Sequence, residues 1–73
     1  MSVYRDVSSV GTAYMGPEAE LFIGRQCALY LNIHPQGLAK EHLPVLAKWM
    51  GKAGARLLDP ARAKEMAAKI AAL

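Results

Sequence analysis

The chain has 73 residues, a net charge of +3 from nine Lys/Arg against six Asp/Glu, 53% hydrophobic residues and a single cysteine. So short a chain holds one domain with a marginal core, because it buries only about 60% of its unfolded surface. An internal disulfide is excluded, the charge is milder than that of dedicated nucleic-acid binders, and no apolar run reaches the ~20 residues of a membrane span.

Residues 1–15 stand apart. They hold three Ser, Thr12 and Gly11 and few strong helix formers. Yet Val3, Val7, Val10 and Tyr14 follow a helix-like spacing of four, three and four. Propensity and periodicity disagree, so the segment reads as an N-terminal arm that is flexible or forms a short helix on docking to a partner. Its anchors would be those four residues, with Tyr4 beside them.

Gly16-Pro17 marks a boundary and opens a helical domain over residues 16–73. Proline suits a first helical turn, and Glu18 and Glu20 favour the positive end of the helix dipole. The helix is expected to run to Asn32, which tolerates the left-handed conformation, and His34-Pro35 with Gly37 stops it. Its polar residues Glu18, Arg25 and Asn32 form one narrow stripe, while Glu20 and Gln26 interrupt the apolar surface singly. A helix apolar around most of its circumference needs cover. Two later amphipathic helices cover only part of it, so the remainder is expected to face a second copy. Phe22, Ile23, Cys27 and Tyr30 are the candidates for that self-association surface.

A short helical turn is expected near Gly37–Lys40. The next helix starts at Glu41–Leu43, with Pro44 in its first turn, and continues to about Leu57. Leu43, Leu46, Met50, Ala53 and Leu57 make its apolar face, and Lys48, Lys52 and Arg56 the opposite one. Gly54 on the apolar face lets another helix come close. Trp49 sits at the edge of the two faces, its ring body packed inward and its indole N–H near a polar partner. Asp59-Pro60 then begins the last helix, with Asp59 as a side-chain cap and Pro60 at the first position. Ala63, Met66, Ala67, Ile70 and Leu73 should face inward, and Arg62, Glu65 and Lys69 outward. The fold class is therefore all-α: a small array of three to four helices preceded by the arm.

Chemistry-bearing residues are few. Cys27 has neither a histidine within a helical turn nor a helix N-terminus beside it, which marks a buried structural thiol. His34 and His42 suit loop and capping positions. No paired metal-ligand spacing, acid pair or phosphate-binding glycine loop is present, so no catalysis, metal or cofactor is expected. The N-terminus lacks a basic region followed by an apolar run, so no secretory signal is expected. A free thiol and no targeting segment suggest the cytoplasm.

The stretch Gly16-Pro17-Glu18-Ala19-Glu20-Leu21-Phe22 resembles the opening of small helical domains appended to bacterial kinases and response regulators. The resemblance implies an accessory domain in bacterial signalling, with no catalytic residues to carry over. The expected function is a non-catalytic protein–protein interaction and self-association module. A homo-oligomer is expected, together with a second protein partner met through Lys48, Lys52 and Arg56 or through Tyr4 and Tyr14. A small basic nucleic-acid-binding domain is the alternative. A membrane is not an expected partner.

Overall fold

The computed structural model describes residues 2–73, and Met1 lies outside them. Helix α1 spans Val3–Met15, α2 Ala19–Gln26, α3 Leu43–Gly54 and α4 Pro60–Ala71. The described residues are helical, with turns and short extended links between them, and carry no strand. The Cα radius of gyration is 10.6 Å, close to the roughly 11 Å of a compact chain of this length.

Residues 3–15 are a helix docked on the chain's own α2 and α4, where the sequence suggested an arm seeking a partner. Its start is capped by Ser2, whose hydroxyl accepts the Arg5 N–H at 3.1 Å, and Asp6 sits in the first turn. Val7 is fully buried, and Val3, Val10 and Tyr14 pack half-buried against the core. The four residues expected to anchor the arm on a partner thus pack on the chain's own core. Gly11 allows the docking: a Cβ there would lie 3.2 Å from the Ala19 Cβ and 3.3 Å from the Ile23 Cδ1. Gly16 ends α1 with φ +77°, a conformation that side chains disfavour. A 3-10 turn, Gly16–Glu18, then leads into α2.

The helix predicted over residues 17–32 changes its winding twice. After the 3-10 turn and α2, residues Cys27–Leu31 form a π-helical turn. It closes at Asn32 in the left-handed conformation, φ 54° and ψ 42°, as the sequence suggested. The Cys27 carbonyl also accepts the Ile33 N–H at 3.2 Å. The expected turn near Gly37–Lys40 is two 3-10 turns, Pro35–Gly37 and Lys40–His42. Histidines cap both: His34 Nδ1 accepts the Gln36 N–H at 3.2 Å, and His42 Nδ1 the Ala39 N–H at 2.9 Å.

Helices α3 and α4 make the tightest pair. A Cβ on Gly54 would lie 3.1 Å from the Met66 methyl, and one on Gly51 would lie 3.1 Å from the Ala67 Cβ. Leu43, Leu46, Ala47 and Met50 from α3 join Met66 and Ile70 from α4 in one core with Ile23, Cys27 and Val7. Three local expectations need correction. Helix α3 stops at Gly54, whose carbonyl accepts both the Leu57 and Leu58 N–H groups, at 2.9 and 2.7 Å. Leu57 is consequently exposed rather than part of the apolar face. Leu73 is also exposed, because α4 ends before it. Asp59 stands at the N-cap of α4, but its side chain makes no cap bond; its carbonyl accepts the Ala63 N–H at 3.0 Å.

The docking of α1 depends on the empty Cβ position of Gly11. Gly11→Leu should overpack the contact with Ala19 and Ile23 and cost about 1–3 kcal/mol. Urea unfolding checks this; an unchanged midpoint would mean that α1 is not held there.

Candidate functional site

The most distinctive surface lies where the π-turn meets α3. The π-turn winds more widely than an α-helix and shifts the facing of the residues after Gln26. Tyr30, placed by that shift, stacks on Trp49 with ring centroids 3.9 Å apart and planes 3° from parallel. The Lys48 and Lys52 ammonium groups lie 5.4 and 5.2 Å from the Trp49 ring centroid, within the reach of cation–π attraction. Beside the stack, a hollow of about 210 Å³ is lined by Tyr30, Trp49, Lys52, Ala53 and Arg56. Two groups that the sequence kept apart therefore converge: Tyr30 from the self-association set, and Lys52 and Arg56 from the basic row. Trp49 is half-buried, its body sandwiched rather than sunk into the core.

The other candidates distribute differently. Ile23 and Cys27 are fully buried within the monomer and cannot form its outer surface, because α1 and α3 cover that side of α2. Phe22 is half-buried, and Tyr30 is 45% exposed. Two leucines missed as surface candidates are far more open: Leu21 at 66% and Leu29 at 70%. Leu21, Arg25, Ala28 and Leu29 are all exposed and succeed one another along the same outer side of α2 and its π-turn. Leu21 and Leu29 were legible as flanks of the Glu18–Arg25–Asn32 stripe. Whether those flanks lay open depended on where α1 docked.

Tyr14 is occupied within the chain. Its hydroxyl donates to the Glu65 carboxylate at 2.5 Å, and Arg62 and Lys69 sit over its ring at 5.3 and 5.2 Å. It fastens α1 to α4. Tyr4 is half-buried and lines a separate hollow with Ser8, Ser9, Thr12 and Glu20. Burial first, and then the charges of Glu20 and Cys27, raise its pKa. Burial likewise raises that of the Cys27 thiol, away from the thiolate that reactive cysteines need. Gln26 is 5% exposed and its side-chain oxygen has no hydrogen-bond partner. No group of three His, Cys, Asp or Glu able to hold a metal occurs among the described residues. None of the described helices is long and apolar enough to cross a membrane.

No protein-family model, curated protein or solved structure matches the chain.

Two measurements probe these environments. Tyr30→Ala removes the stacked partner of Trp49 and should cost about 0.5–1.5 kcal/mol beyond the lost burial, with a red-shifted Trp49 emission. Unchanged emission would mean the rings do not stack in solution. The raised pKa values of Cys27 and Tyr4 bear on alkaline stability. Unfolded Cys and Tyr lose their protons near about pH 8.5 and 10, while the folded groups keep theirs to higher pH. The unfolded state then binds fewer protons, so stability is full below about pH 8.5 and falls as pH rises above it. Cys27→Ala should flatten the first part of that decline in a thermal-melt series, and Tyr4→Phe the second. A wild-type profile level through this range would refute the assignment.

Proposed function

We propose that the chain is a non-catalytic protein–protein interaction module that associates with itself through the outer side of α2 and presents its basic row to a second protein. The observation that carries the reading is the exposure of Leu21 and Leu29 on the outer side of α2 and its π-turn, with Tyr30 exposed beside Trp49, next to a core that is already closed. Scattered exposed leucines are ordinary; a succession on one helix side marks an interface. In a two-fold pair each copy would bury both leucines. Four leucines at about 1.5–3 kcal/mol each supply roughly 6–12 kcal/mol before their partial burial in the monomer is discounted. Association costs about 4–15 kcal/mol. The balance favours a weak, concentration-dependent dimer, with Phe22 and Tyr30 extending the contact. A role as a cytoplasmic accessory domain in a bacterial signalling assembly is consistent with the Gly16–Phe22 resemblance.

One observation favours a second reading, nucleic-acid binding. Stacked aromatic rings beside Lys52 and Arg56 combine the two ingredients of a single-strand platform. The rings already stack on each other, which leaves less aromatic face for bases.

Light scattering across the micromolar range tests self-association. The mean mass should rise above that of one chain, and Leu21→Glu with Leu29→Glu should return it to one chain while the helical circular dichroism is kept. A wild-type monomer throughout would refute the dimer. Binding to a random single-stranded oligonucleotide tests the second reading. Three phosphate contacts by Lys48, Lys52 and Arg56 would give a log–log salt slope of roughly −2. The expected outcome is no such binding.

A further inference from the structure

The outer side of the α3–α4 pair carries a shallow, open groove of about 490 Å³. Its floor includes Gly51, Ala67 and Ala71, and Lys48, Lys52 and Lys64 line it. On the inner side of the same pair Met50 and Met66 fill the core completely. On the outer side the helices meet almost backbone to backbone, since even a methyl on Gly51 would come within 3.1 Å of Ala67. The contact closes the floor, and no large side chain of this chain fills the space above it.

We propose that this groove docks an amphipathic helix of a partner protein, one whose apolar ridge is flanked by carboxylates. The proposal rests on the reading of the chain as an interaction module and names the chemistry of its second partner. Length fits first: the lining on α3 runs from Pro44 to Lys52, roughly 12 Å of helix at 1.5 Å per residue. That matches the anchor spacing i, i+3, i+4 and i+7 of a helix laid in a groove.

Charge fixes the rest. Every ionisable group on the lining is a lysine. Lys48 and Lys52 rise from α3, and Lys64 from α4. A helix seated between them would meet cations from both helices, so carboxylates on its flanks would be paired and lysines there repelled. The apolar floor selects against the other occupants. Alanines offer no ring for a nucleic-acid base to stack on. A second copy is also a poor fit. Its exposed apolar helix side, α2, carries one acid and one base, Glu18 and Arg25, and so offers the lysines no net opposite charge.

The test uses the full chain and a fluorescein-labelled synthetic amphipathic helix with a leucine ridge and glutamate flanks. A control peptide keeps the ridge and replaces glutamate by lysine. Fluorescence anisotropy should show saturable binding of the glutamate peptide, roughly tenfold or more tighter than the control. Ala68→Phe, which fills the groove from an exposed helix position, should abolish it. Lys64→Glu should weaken it by about tenfold without adding bulk. Both variants should keep the wild-type circular dichroism, and the charge variant carries the test should the filling variant unfold. Leu21→Glu with Leu29→Glu should leave peptide affinity unchanged, so loss of self-association and loss of docking are separable. Equal affinity for both peptides, indifference to both groove variants, or no saturable binding would overturn the proposal. So would a preference for anionic phosphatidylserine vesicles or a single-stranded oligonucleotide over the glutamate peptide.

Discussion

The covering of α2 is the constraint on which the rest of the structure depends. With so few residues, a helix that is apolar on most sides cannot be wrapped completely. The chain spends α1 on one side and α3 on another. Gly11 gives α1 its seat by leaving room for Ala19 and Ile23, and Tyr14 locks the far end through Glu65. Ile23 and Cys27 then vanish into the core, while Leu21 and Leu29 stay open. The location of the uncovered surface is thus a consequence of where α1 lands. Were α1 displaced, the side of α2 that carries Ala19 and Ile23 would lose its cover.

The π-turn is the second device that shapes the surface. Continued α-helical winding would carry Tyr30 to a different facing. The wider turn over Cys27–Leu31 instead sets its ring flat on Trp49. Such turns recur at functional sites because the added width re-aims side chains at the expense of regular hydrogen bonding. Here it joins two elements, α2 and α3, whose outward residues then form one aromatic and cationic surface. Lys48 and Lys52 gain a partner in the Trp49 face, an interaction of about 0.5–1 kcal/mol at exposed sites. That is enough to bias their positions and too little to hold them against a carboxylate.

Much of the fold was legible where backbone chemistry is local. Gly16-Pro17, Asn32 and Asp59-Pro60 mark breaks because left-handed turns and missing N–H groups leave few alternatives. The apolar spacing of Leu43, Leu46 and Met50 and of Ala63, Met66 and Ile70 selected the correct inner faces for α3 and α4. The first fifteen residues were harder for an instructive reason. Gly11 and the hydroxyl residues lower helix propensity, yet Gly11 is there because a neighbouring helix needs its space. Propensity recorded the cost, and only tertiary contact supplies the gain. The candidate site was half legible. The basic row followed from a four-residue repeat. Its union with Tyr30 did not, because no local signal announces a π-turn, and the stack joins residues nineteen apart.

Helix α3 is best understood as a ridge with a concavity on either side. The Tyr30–Trp49 hollow lies on one flank and the alanine-floored groove on the other, and Lys52 lines both. Cations on a ridge between two apolar surfaces act on both. They keep the exposed apolar area from associating indiscriminately, since a like-charged surface approaching it is repelled. An oppositely charged partner would feel them from a distance of about one Debye length, ~8 Å at physiological salt. Apolar contact alone does not distinguish partners of equal hydrophobicity; apolar contact beneath a row of lysines does. In so small a chain, with little buried polar structure, charges at the rim are the groups best placed to add selectivity to an apolar contact, and Lys48, Lys52 and Lys64 stand at that rim.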